Sequence, residues 1–199
     1  MTRVICVNTG FKYNQWYVDN LKHMIDHFSK IKYTQFEVIE EEEFGGVYDK
    51  LQIFNKFKTG QNIYFDLDLI IKDDCNIFLK KNLTVLHAWW RKYYESNGKK
   101  YGKYYLKNPI NSSVISWYGD RSDIYDKFKD NPDKYMLIYD RGMDEYLYDL
   151  FKPLTYEDNL YYSYKTIKEE KNYPICIFNQ SYEYMRTTKW CQKFLLQSQ

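Results

Sequence analysis

The chain has 199 residues, 44% of them hydrophobic, and a formal net charge of +2. That length and apolar content suit one domain with a sizeable core, and the near-balance of charge excludes a general polyanion binder. Its N-terminus, MTRVICVNTG, reads as too short and polar for a signal peptide, and no run approaches a membrane span. Cys6, Cys75, Cys176 and Cys191 lack CxxC or zinc spacing and read as buried, reduced thiols of a cytoplasmic protein. One residue in five is aromatic, against a single alanine, Ala88. Lys, Asn, Tyr, Ile and Phe all have AT-rich codons, so this bias points to a viral or low-GC bacterial genome.

In chain order, 3–7 is a short apolar strand that ends in Asn8-Thr9-Gly10. Tyr17, Leu21, Met24 and Phe28 recur at helical spacing and predict a helix over about 15–28. A second strand, 33–39, closes in the acidic run 40–43, which reads as a solvated turn. Gly45-Gly46 permits a turn into a helix over 47–57, with Val47, Leu51, Phe54 and Phe57 inward. The central strand follows at 61–71. This β-α-β-α-β order predicts a parallel sheet with right-handed crossovers. Beyond it come a strand at 83–86, the cluster His87-Ala88-Trp89-Trp90, and a Gly-, Lys- and Tyr-rich loop at 97–107. A strand at 114–117, preceded by Asn111-Ser112-Ser113, leads to helices over 122–130 and 143–151 and strands at 160–164 and 174–178. His87, Trp89 and Trp90 read first as core tryptophans and a satisfied histidine, and otherwise as the lining of a cleft. Part of the loop, 98–107, reads as a mobile flap or as one side of a groove.

The central strand, QNIYFDLDLII, carries the chemistry. Side chains alternate along a strand, so Ile63, Phe65, Leu67 and Leu69 share one face, and Tyr64, Asp66 and Asp68 the other. Burying a carboxylate without a partner costs several kcal/mol. A divalent cation taking oxygen from both acids, or from one acid and a phosphate, relieves that cost. Asp66-Leu67-Asp68 therefore reads as a metal and diphosphate site, beyond a strand end where α/β nucleotide-binding sheets hold their ligands.

Taken together, VNTG, GGVYDKLQIF, NIYFDLDLII, NSSVISW, RGMDEYLY, YYSYK and PICIFNQ resemble, in this order, GT-A glycosyltransferases. The nearest resemblance is to small bacterial and phage-type relatives of the family-eight retaining enzymes, and it runs from about Val4 to Tyr184. It implies a single α/β, Rossmann-like domain over 1–199 with a mostly parallel mixed sheet flanked by helices. The nucleotide-binding half would end near residue 70, and 71–199 would hold sugar and acceptor. The implied activity is metal-dependent transfer of a sugar from a UDP-sugar to an acceptor, with retention.

The resemblance also implies roles. Asn8 and Thr9 would meet the base and ribose, with Tyr13 or Trp16 stacking on the base. Lys50 would approach the nucleotide-sugar. Asp66 would reach the ribose and share a Mn²⁺ or Mg²⁺ ion with Asp68. Asn179 stands where the family has a histidine as third metal ligand, and an amide oxygen ligates without adding charge. Glu183 stands near the usual diphosphate lysine, whose work would pass to Lys165 or Arg186. Asn111 and Ser112 would line the donor sugar and Asp144 would bind its hydroxyls. Glu145, where relatives carry Gln, would stabilise an oxocarbenium-like transition state in the favoured reading, or act as a nucleophile. Two other readings remain: a weak nucleotide-sugar binder or donor hydrolase, and a single-strand nucleic-acid module built on GKKYGKYYLK, which the near-neutral charge disfavours. So many aromatics also make a homodimer a reasonable expectation.

Overall fold

β1 (Thr2–Val7) sends Val4 and Cys6 into one core and Ile5 into another, on the opposite face of the sheet. Strands buried on both faces read as continuous apolar runs, which is why this one is legible in the sequence. The structure is a computed structural model that describes residues 1–92, 95, 96, 99, 100, 108–179 and 181–196. α1 (Gln15–His27) packs Tyr17, Leu21 and Met24 into the first core and leads to β2 (Gln35–Ile39). Gly45 and Gly46, both at positive φ (87° and 58°), turn the chain into a 3-10 segment, Gly46–Leu51, which continues as α2 (Gln52–Lys56). The expected single helix over 47–57 is thus replaced by a tighter start. At three residues per turn, Tyr48, Leu51 and Phe54 point inward, while Val47, expected inside, is 53% exposed.

β3 (Gln61–Phe65) and β4 (Leu69–Ile71) replace the single strand expected over 61–71. β5 (Thr84–His87) follows, then β6 (Glu95–Ser96) and β7 (Lys99–Lys100), which pair antiparallel. β8 (Ile110–Tyr118) begins four residues before the expected 114 and so absorbs Asn111-Ser112-Ser113. α3 (Ser122–Asp130), α4 (Pro132–Ile138) and α5 (Met143–Phe151) come next, then the edge strand β9 (Leu154–Thr155). β10 (Tyr161–Ser163), α6 (Tyr164–Ile167), β11 (Ile175–Ile177) and α7 (Glu183–Thr187) finish the chain with a 3-10 turn, Lys189–Phe194. α4 buries no residue, so it leaves no periodic signal. Among the described residues, no helix is long and apolar enough to cross a membrane, and all four cysteines are buried free thiols.

The main sheet has the order β2-β1-β3-β8-β5-β9. β1 is parallel to both β2 and β3, β5 is parallel to β9, and β8 runs antiparallel to its two neighbours. α1 lies over the face of the first core, and α2, α3 and α5 over that of the second. The winding therefore reverses between β1 and β3, the point at which an open α/β sheet leaves a crevice beyond its strand ends. A second sheet, β10-β11-β4, abuts the first. Asp66-Leu67-Asp68 is the crossing between them. The Asp66 N–H still donates to Ser113 O in β8 (2.8 Å), whereas Asp68 O accepts from Phe178 N–H beyond β11 (2.9 Å).

In the second core, the Phe128 ring stacks on Tyr48 (4.8 Å) and Tyr135 (5.9 Å) and meets Tyr146 edge-on (5.2 Å). Removing it leaves a void bounded by three helices. Phe128→Ala should cost about 3–5 kcal/mol in urea unfolding; a loss below about 1 kcal/mol would mean that this cluster does not hold α3 and α5 to the sheet.

Candidate active site

Beyond β1 and β3 lies an open cleft of about 810 Å³. Each wall follows from the topology. Thr9, Lys12 and Tyr13 follow β1, Lys50 rises from the 3-10 segment, and Asp66 and Asp68 follow β3. The start of antiparallel β8 brings Asn111, Ser112 and Ser113 beside the end of β3, and α5 presents Asp144 from its first turn. Ser163, Lys165 and Asn179 come from the ends of the second sheet's strands.

Lys50 and Asp66 meet in the floor of this cleft, Nζ 2.6 Å from Oδ1, each side chain 16% exposed. The Tyr64 hydroxyl donates to the same oxygen at 2.5 Å, so these two residues share a face as the strand alternation requires. Burial pushes the Asp66 carboxyl upward, but the Lys50 charge and hydrogen bonds from Lys50, Tyr64 and Ser113 outweigh it and hold the group below its ordinary value. Burial likewise pulls Lys50 down, and Asp66 followed by Asp144 reverse that and leave it raised. Tyr64 is pushed well above the phenol range, by burial first and then by Asp66.

Asp68 has a side chain only 6% exposed, with Lys12 Nζ 3.9 Å from its Oδ2. The Tyr13 hydroxyl bonds to Asp68, and burial together with the charges of Asp68 and Asp66 raises the Tyr13 phenol. Asn179 adopts a left-handed backbone (φ 45°), which asparagine tolerates, and donates its Nδ2 to Ser163 Oγ at 2.7 Å. Its amide oxygen is then the atom it offers to a ligand. Among the described residues, no group of three or more His, Cys, Asp or Glu side chains forms a metal cage. Asp68 and Asn179 do supply two hard oxygen donors to one cleft, a set that suits Mg²⁺ or Mn²⁺ completed by ligand phosphate. Asp66 is engaged by Lys50 and Tyr64.

On the opposite wall, Asp144 Oδ2 receives Arg91 Nη2 (2.8 Å) and Oδ1 receives the Ser112 N–H (2.8 Å). Arg91 is itself tied through Nη1 to the carbonyls of Asn108 (2.9 Å) and Ile110 (2.6 Å). Glu145 does not line the cleft. Its charge is felt by Tyr48, whose phenol is pushed up to about 12 by burial and then by Glu145 and Asp140, and Glu145 Oε2 is buried without a partner among the described residues. Asn8 stands just behind the cleft wall between the lining residues Val7 and Thr9, and its Oδ1 is likewise a buried acceptor with no partner among the described residues. Behind Thr9, Asp49 is a fully buried carboxylate whose Oδ1 accepts the N–H groups of Glu43 (2.9 Å), Phe44 (2.8 Å) and Gly45 (3.0 Å).

Other expected groups lie elsewhere. Trp16 is covered by Arg186, 4.4 Å from its ring centre, and Arg186 also bonds to Asn14, so neither lines the cleft. Glu183 is exposed at the start of α7. His87 pairs with Asp158 at 2.7 Å, while Trp90 does line the cleft. The expected flap at 98–107 lies almost wholly outside the described residues. Sequence reasoning passed over Lys12 and Arg91. Arg91 is hidden in a turn, WWRK, that reads as core, and Lys12 in a loop without periodicity.

The fold is that of GT-A-type glycosyltransferases. One solved example is a glycosyltransferase involved in the glycosylation of the major capsid of PBCV-1, with TM-score 0.65 at 13% identity over 94% of this chain and 100% of its own. GlyE of Streptococcus pneumoniae TIGR4 gives 0.62 at 15% identity, over 89% of this chain and 55% of GlyE. The galactosyltransferase LgtC, solved with donor and acceptor sugar analogues, gives 0.62 at 11% identity over 99% of this chain and 97% of LgtC. No protein-family model and no curated protein sequence matches the chain.

Removing one partner of the Lys50–Asp66 pair leaves a buried charge uncompensated, so Asp66→Asn should cost about 3–5 kcal/mol near neutral pH. The folded pKa of Asp66 lies below its unfolded value of about 3.9, so its stabilisation is complete above that value and is lost as pH falls through the folded one. Urea titrations should show the gap between wild type and variant narrowing as pH falls below about 3.9. An undiminished gap would show that the carboxylate charge is not what stabilises the fold there.

Proposed function

We propose that the chain is a glycosyltransferase that takes a hexose from a UDP-sugar and passes it to an acceptor hydroxyl with retention of configuration. The observation that carries this reading is the cleft at the winding reversal, where Asp66, Asp68, Lys50 and Asp144 converge beyond the strand ends.

Each residue has work that follows from its chemistry. The buried, unpartnered Asn8 Oδ1 suits an N–H donor such as that of uracil, and Thr9 and Tyr13 wall the nucleoside. Asp144, fixed by Arg91 and Ser112, keeps lone pairs for sugar hydroxyls, and Asn111 and Ser112 flank the same space. Lys50 lies between Asp66 and Asp144 in charge and balances both. As the bond from the sugar to the phosphate breaks, negative charge grows on the departing diphosphate and positive charge on the sugar. Fixed cations and carboxylates already paired across the cleft meet both without reorganising. A Mn²⁺ or Mg²⁺ ion held by Asp68 and Asn179 would add positive charge beside the diphosphate. Glu145, whose charge raises the Tyr48 phenol and which is not among the cleft-lining residues, is not placed against the sugar in this account.

Titration calorimetry of UDP with and without Mn²⁺, repeated on Asp68→Ala, tests this. UDP binding that Mn²⁺ strengthens, and that the variant loses by tenfold or more (about 1.4 kcal/mol), is expected. No UDP binding under either condition would contradict the reading.

A further inference from the structure

We propose that Lys12 is the side chain that receives the phosphate groups of the ligand, an assignment that rests on the cleft taking a nucleoside diphosphate. Lys12 sits in the loop between β1 and α1 with a side chain 45% exposed. Its ammonium stands 3.9 Å from Asp68 Oδ2, about an ångström beyond a charge-assisted hydrogen bond. Lys50 and Arg91, in the same cleft, hold their carboxylates at 2.6 Å and 2.8 Å. Those two cations are therefore committed to protein acids, whereas Lys12 makes no hydrogen bond to the described residues and keeps its N–H donors for a ligand.

The ammonium is nonetheless held in place. It lies 4.4 Å from the ring centre of Tyr13 and 5.3 Å from that of Tyr182. These two rings pack edge to face at 5.3 Å and form a platform that favours a cation. A phosphate entering beside the nearly buried Asp68 would meet like charge, and Lys12 is the group positioned to offset it. Two adjacent phosphates match this demand, because one can face the ammonium while its neighbour lies deeper along the cleft. The proposed cation thus comes from the loop after the first strand, while Arg186 of the C-terminal block is stacked on Trp16 and Lys165 lines the cleft from the end of the second sheet.

The test is calorimetry of inorganic pyrophosphate, UDP and uridine on wild type, Lys12→Gln and Lys12→Arg, all in EDTA so that no divalent cation carries the effect. The Gln variant should bind UDP and pyrophosphate about tenfold more weakly, with uridine unchanged, and the Arg variant should recover most of the loss. Wild-type affinity for UDP and pyrophosphate in the Gln variant would overturn the proposal. So would an equal loss for UDP and uridine, which would mark Lys12 as packing for Tyr13 and Tyr182. Pyrophosphate binding that the Gln variant loses, in a protein that gains nothing from uridine, would keep Lys12 in this role and sink the nucleotide reading. Failure of the wild type to bind all three, in EDTA and again with Mn²⁺ present, would overturn both.

Discussion

A lysine and an aspartate that meet in the floor of the cleft tie the segment between β2 and β3 to the place where β3 and β8 pair. Lys50 comes from the segment between β2 and β3, Asp66 ends β3, and Ser112 and Ser113 open β8. Each charge alone would pay a desolvation penalty of several kcal/mol, and the pair offsets it only because the geometry is close and Tyr64 completes it. The polar floor is consequently paired before any ligand arrives. An already paired floor is what an electrostatic site needs, since its dipoles need not move when charge develops on a ligand.

The same logic recurs on the other wall, where Arg91 and the Ser112 N–H fix both oxygens of Asp144. Ser112 thus touches both systems, through its hydroxyl 3.5 Å from Lys50 and its N–H to Asp144. The start of β8 is the strut between the half of the cleft expected to hold the nucleotide and the half expected to hold the sugar. Lys12, over its pair of tyrosines, lies outside this network, which is why it remains available to an incoming anion.

Much of this was legible in the sequence, and the exceptions have physical causes. β1, α1, β3 and α5 declare themselves by apolar runs or helical spacing. The acids of 66–68 stand out because carboxylates do not belong at the end of a buried strand. The strand break there was hidden, because LII in a second buried sheet looks the same as LII in the first. The 3-10 start at Gly46–Leu51 shifted the inward face from Val47 to Tyr48. Asp144 and Glu145 look alike in sequence, yet adjacent helix positions differ by about 100°, so Asp144 lines the cleft and Glu145 does not. Arg91 and Lys12 depend on contacts between distant segments, and no local pattern announces them.

The most direct measurement of the central claim is hydrogen–deuterium exchange with and without UDP. The account predicts protection concentrated in three stretches: the loop after β1 through Tyr13, the crossing at Asp66–Asp68, and the start of β8 at Asn111–Ser113. Protection confined to the far side of the second sheet, around Lys72 and Glu170, or no protection at saturating UDP, would contradict it.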